Sequence, residues 1–156
     1  MIYIDCEYAD INQDRIMSLI EYILSYFNLK NKEISVSFVS DSEMKELNFS
    51  YRKINEPTDV LSFALSEGED MCDDTMLGDI VVSYDTATKQ ANVLNHPFLI
   101  EIDHLICHGM LHLLGFDHIN ECDKNVMFKQ HKKILTDFYN KINDLKYIND
   151  NWLLSD

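Results

Sequence analysis

Apolar positions change period several times along this chain, and each change marks an element. Ile11, Ile16, Leu19, Ile20, Ile23, Leu24 and Phe27 recur at the spacing of one helical face, which predicts an amphipathic helix over residues 11–29. Ahead of it, Ile2-Tyr3-Ile4 reads as a short strand. From Glu33 to Ser40 the pattern becomes an alternation, with Ile34, Val36 and Phe38 separated by Ser35 and Ser37, the mark of a half-buried strand. Asp41 is a good N-cap for a helix through Met44 and Leu47 toward Tyr51, in a region that Pro57 closes. Val60-Leu61-Ser62-Phe63 and Asp79-Ile80-Val81-Val82-Ser83 read as third and fourth strands, and helical patterns follow over 84–94, 98–114 and 120–145. Five helices and four strands, with the helical weight toward the C-terminus, predict an α+β fold.

A chain of 156 residues fits one compact domain, taken as residues 1–146 with a tail over 147–156. Its 46% hydrophobic content is enough for an ordinary core without disulfide staples. Cys6, Cys72, Cys107 and Cys122 form no C-x-x-C pair, so reduced, mostly buried thiols are expected. Thirteen Lys and Arg against 27 Asp and Glu leave a net charge of −14, which opposes blanket electrostatic binding to DNA, RNA or anionic membranes. Any RNA contact must then be a local basic patch. No run approaches the ~18 apolar residues of a membrane span, and the opening segment carries acids where a signal peptide would be basic, so a cytoplasmic protein is expected. The acidic stretch 66–76 reads as a solvated loop, since it lacks the ligand spacing of a calcium loop.

Candidate chemistry concentrates between His108 and His118. On a helix, His108 and His112 stand at i and i+4, rising ~6 Å along one face, a separation two imidazoles can close onto one ion. Gly115 fits the left-handed position that ends a helix, and the chain can then turn back to bring His118 as a third nitrogen. His104 shares the face but lies ~12 Å of helix rise from His112, too far to bind the same zinc. His96, His104 and His131 are therefore read as ordinary core or surface residues. Three imidazoles describe an open, catalytic kind of zinc site. Asp117 and Cys122 are possible fourth ligands, but Cys122 is expected to face the core from the first turn of the next helix, and Asp117 to orient a histidine. The spacing matches H-E-x-x-H-x-x-G-x-x-H of zinc proteases except that Gly109 replaces the Glu that acts as general base. Room for a bulky substrate and tight helix packing are both open as reasons for that glycine.

The run from His108 to His118 resembles the signature H-G-x-L-H-L-x-G-[Y/F]-D-H of the YbeY family, bacterial metal-dependent endoribonucleases of ribosomal RNA maturation. Tyr51-Arg52 followed by Pro57-Thr58-Asp59-Val60-Leu61-Ser62-Phe63 resembles its Y-R-x(4)-P-T-[D/N]-V-L-S-F block, and Leu77-Gly78-Asp79-Ile80 its L-G-D-I strand. Asn55 and Ala64 depart from the residues common there. The resemblance implies a small mixed sheet of four strands and one zinc (Zn2+) per chain on His108, His112 and His118. It also implies cleavage of single-stranded ribosomal RNA on ribosomal particles, in 3′-end maturation and ribosome quality control.

Arg52 can also be weighed on its own. The chain uses 11 Lys and only 2 Arg, and a planar guanidinium grips phosphate bidentately where Lys cannot. A surface ion pair with Glu46 or Glu56 is the alternative; Arg15, on the first helix, reads as a surface residue. With zinc supplying an activated water and Arg52 stabilising charge on the phosphorane, the site would cleave a phosphodiester. Neither a general base nor the choice between water and 2′-OH as nucleophile follows from the sequence. Lys129, Lys132 and Lys133 form either a solvated helix face or a phosphate-facing stripe. A zinc peptidase, opposed by Gly109, and a non-catalytic assembly factor stapled by metal are the alternatives.

Overall fold

Alternate residues of the strands face two different apolar layers, as their period-2 pattern requires. The computed structural model describes residues 1–64, 75–117 and 119–144; His118, Cys72, nearly all of the acidic stretch and the 147–156 tail lie outside the described residues. In chain order the elements are β1 (Ile2–Asp5), α1 (Gln13–Tyr26), β2 (Glu33–Val39), α2 (Asp41–Arg52), β3 (Val60–Ala64), β4 (Met76–Ser83), α3 (Tyr84–Leu94), α4 (Phe98–Leu113) and α5 (Glu121–Lys141). The sheet order is β1-β2-β4-β3, parallel except for β3, which runs antiparallel to β4. The fold is the expected α+β domain with a small mixed sheet.

Ile34, Val36, Val60, Ile80 and Val82 point into the main core with α1, α4 and α5, while Leu61 and Val81 point the other way, onto Met44 of α2. α4 runs through the middle, with every residue from Ile100 to Leu111 buried. A helix apolar on all sides belongs there, but α4 also carries Glu101, Asp103, His104 and His108 into the interior. Each such group needs a partner, because burying an unpaired polar or charged group is costly. Arg15 supplies one: its Nε and Nη2 donate to the Asp103 carboxylate at 2.8–3.2 Å, Tyr139 donates from its hydroxyl at 2.9 Å, and the guanidinium lies over the Tyr139 ring. Arg15 is thus a half-buried structural cation and not the surface residue its helix position suggested.

Helix ends depart in places from the local pattern. Ser40, and not Asp41, caps α2, its hydroxyl accepting from the Glu43 N–H in an S-x-x-E arrangement. Asp41 instead accepts from Ser83 Oγ, Thr86 Oγ1 and Lys89 Nζ at the start of α3, which draws its carboxyl below its usual range against the effect of burial. Cys122 lies in the first turn of α5 as expected, yet it is exposed and does not face the core. Among the described residues only Cys107 is a buried thiol; Cys6 is half-buried, and all three are free. Among the described residues no helix is long and apolar enough to cross a membrane.

Candidate functional site

α4 ends in a Schellman turn. The Gly115 N–H donates to His112 O at 3.1 Å and the Phe116 N–H to Leu111 O at 3.0 Å, with Gly115 at φ +94°, a conformation that favours glycine. This is the helix stop expected from the sequence, and it turns the chain back across the mouth of a cleft. The cleft, of about 530 Å3, lies at the antiparallel edge of the sheet between β3, the C-terminal ends of α2 and α4, and the turn at 115–117.

His108 and His112 stand one turn apart and both line it. Their Nε2 atoms are 3.0 Å apart and their rings nearly perpendicular, at 80°. His108 is buried and His112 half-buried, so the pair spans the boundary between core and cleft. Two imidazole nitrogens converging this closely share either a proton or a cation, and the donor set is one zinc favours. Among the described residues no group of three His, Cys, Asp or Glu side chains could hold a metal ion. The third expected ligand, His118, lies outside the described residues, while Asp117 lines the cleft and is exposed.

Arg52 is the last residue of α2, delivered to the cleft because Lys53 takes the left-handed conformation that ends the helix there. It is exposed, and no carboxylate among the described residues lies within 4.0 Å of it, so the ion pair with Glu46 or Glu56 does not form. The loop beyond it is held by buried Asn48, whose Nδ2 donates to Glu56 O at 2.8 Å. Tyr51 and Phe63, rings 5.0 Å apart, add an aromatic wall that sequence reasoning did not single out, although both lie in the Tyr51–Phe63 block.

Gly109 faces the sheet. A Cβ there would lie 3.1 Å from Ile80 Cγ2 and 3.2 Å from Ser62 Oγ, and the Ser62 hydroxyl donates to the Gly109 carbonyl at 3.1 Å. Of the two reasons left open for this glycine, close packing of α4 on β3 and β4 is the one with a structural cause. Of His96, His104 and His131, the last two are buried, with His104 Nδ1 meeting His131 Nε2 at 2.9 Å, while His96 is half-buried and contacts Glu101 at 3.1 Å.

The fold and site define a class: a small α+β domain whose buried central helix presents two histidines, across a cleft from an arginine, at the antiparallel edge of the sheet. The profile of the family described as Endoribonuclease YbeY matches residues 2–139. The Endoribonuclease YbeY of Aquifex aeolicus is 42% identical over 120 residues, covering 77% of this chain and 79% of that protein. That of Desulforamulus reducens is 47% identical over 107 residues, covering 66% and 70%. The solution structure of TM1509 from Thermotoga maritima superposes with a TM-score of 0.63 at 28% identity, over 98% of this chain and 100% of that one. The chain belongs to the YbeY endoribonuclease family.

Proposed function

We propose that this chain is a metal-dependent endoribonuclease that cleaves single-stranded ribosomal RNA on ribosomal particles, in 3′-end maturation and ribosome quality control in the cytoplasm. The observation that carries the reading is the meeting of His108 Nε2 and His112 Nε2 at 3.0 Å in the cleft that Arg52 also lines. One zinc per chain would be held by these two histidines and by His118, whose place in the set rests on the spacing after Gly115. Bound there, zinc supplies Lewis-acid polarisation and an activated water. Arg52, exposed and without a carboxylate partner among the described residues, grips the phosphate and stabilises charge that builds on its oxygens. Tyr51 and Phe63 offer flat apolar surface to a base beside that phosphate.

A peptidase reading is disfavoured by the packing at Gly109. The Glu that a zinc protease uses would begin its side chain 3.1 Å from buried Ile80 and point at the sheet. The deciding experiment incubates zinc-loaded protein with an end-labelled structured RNA, beside an Arg52→Ala control. Cleavage in single-stranded regions that is lost in the control supports the reading. Intact RNA in the presence of full metal loading sinks it and favours an assembly factor, and cleavage unchanged by Arg52→Ala removes the arginine from the mechanism.

A further inference from the structure

A line of half-buried rings leads away from the cleft. Phe116, which lines it, lies 6.1 Å from Phe27; Phe27 lies 4.9 Å from Tyr26, and Tyr26 6.4 Å from Tyr22. Tyr22 in turn lines a second groove of about 760 Å3 between α1, the start of β1 and the end of α5. Lysines accompany the rings: Lys133 Nζ sits 5.7 Å above the Tyr26 ring and Lys141 Nζ 5.4 Å above the Tyr22 ring. The groove is lined by Lys30, Lys32 and Lys141 and by one carboxylate, Glu21, with Asp137 near enough to Tyr22 to act on its hydroxyl. Such a gathering of cations stands out in a chain of net charge −14.

We propose that this face is a track for single-stranded RNA, carrying the strand from the cleft past Phe27, Tyr26 and Tyr22 into the Lys30 and Lys141 groove. The proposal rests on the ribonuclease reading for its occupant, and on the face itself for its chemistry. The line of rings gives the bases of a strand apolar surface, and the lysines held over two of those rings meet the phosphates between bases, a combination that binds single strands without regard to sequence. Elsewhere the acidic surface repels a polyanion within a Debye length of ~8 Å at physiological salt, so the strand follows the cations. Lys133, one of the three lysines at i, i+3 and i+4 on α5, thereby gains a role. Contact with the Tyr26 and Tyr22 rings beneath them fixes where its charge and that of Lys141 stand.

The test measures binding of the full chain, under chelator so that nothing is cut, to a labelled oligouridylate of about 20 nucleotides, longer than one single-strand site of about 4–16. Lys133→Gln/Lys141→Gln should raise Kd about tenfold and reduce the slope of log affinity against log salt by roughly 1.4, or ~0.7 for each phosphate left without its lysine. Lys45→Gln, an exposed charge on α2, should change neither, and all variants should keep the parent melting temperature. An unchanged Kd and salt slope in the double variant, or an equal loss in Lys45→Gln, overturns the track. Cleavage is scored separately. Wild-type protein that binds with this pattern yet never cuts RNA when metal-loaded refutes the nuclease reading and leaves the track standing. Protein that cuts a short oligonucleotide and is indifferent to both lysines does the reverse.

Discussion

His104 Nδ1 and His131 Nε2 meet at 2.9 Å inside the helical layer, both rings buried. A neutral imidazole has one donor and one acceptor, so this contact is satisfied by two neutral rings and broken by protonating the acceptor. Burial drives His104 down to about 3, helped by the stacked His96, and holds His131 well below its ordinary value, helped by His104 and His108. In the unfolded chain both titrate near 6.5. The unfolded state therefore takes up protons that the folded state refuses, and stability is full above 6.5 and is lost as pH falls from there toward 3. His104 costs about 1.4 kcal/mol per pH unit across that window, and His131, also held below its ordinary value, adds to the loss. Urea unfolding of metal-free protein between pH 7.5 and 4.5 should show this decline, and His131→Leu, although less stable at neutral pH, should show a shallower one. A flat profile in the parent would mean that the pair is not held neutral.

Arg15 and Asp103 form another polar contact of α4, bridging α1 to it. Removing the arginine leaves a buried carboxylate with Tyr139 alone, so Arg15→Ala should cost about 3–5 kcal/mol, the range for breaking a buried pair. Arg15→Ala/Asp103→Leu, which removes both charges, should recover much of that loss. Chemical denaturation of the single and double variants checks it; a single variant within 1 kcal/mol of the parent, on the order of a surface pair, would contradict the structural role.

Gly109 is constrained from the sheet side. Alanine would gain about 1 kcal/mol of helix propensity but must push on Ile80, fully buried in β4, and on the Ser62 hydroxyl that holds the Gly109 carbonyl. Overpacking of this kind costs ~1–3 kcal/mol, so Gly109→Ala should be modestly destabilising and Gly109→Val severely so. Thermal melts of both variants measure it. A stabilised Gly109→Ala would show that β3 yields, and would revive the alternative that the glycine makes room for substrate.

What can be read from the sequence is what a local window contains. The alternation in Glu33–Val39, the short apolar runs of the other three strands and the helical runs place the nine elements of the described residues, and the His108–His112 spacing with Gly115 places the cleft face of α4 and its stop. Helix ends are less legible: α1 stops at Tyr26 and α5 at Lys141 because Asn28 and Asn143 take left-handed conformations, a stop signal weaker than glycine and easily passed over. Asp41 resembles a cap because its true partners, Ser83 and Thr86, lie more than forty residues away. Arg15 resembles a surface residue for the same reason, its partner standing 88 residues on. Cys122 does not face the core as expected, since the start of α5 has no buried side: Glu121 through Val126 are all exposed and Met127 is the first buried residue.

Arg52 separates binding of metal from chemistry. It sits on α2, outside the histidine helix, and contacts no carboxylate among the described residues, so its removal should leave the fold and metal content as they are. The histidines behave in the opposite way: His108→Ala, His112→Ala or His118→Ala should each empty a one-zinc site, while His104→Ala, tied to His131, should keep the metal. If Arg52 clamps phosphate through its planar fork, Arg52→Ala should lose on the order of 10²–10³ in single-turnover RNA cleavage at unchanged zinc content and melting temperature. Arg52→Lys should fall well short of rescue, because the ammonium keeps the charge and loses the bidentate geometry. Full rescue by lysine would reduce the role to a point charge. A lower melting temperature in Arg52→Ala would reassign the residue to the fold, and an Arg52→Ala protein that cleaves at the parent rate would remove it from the site altogether.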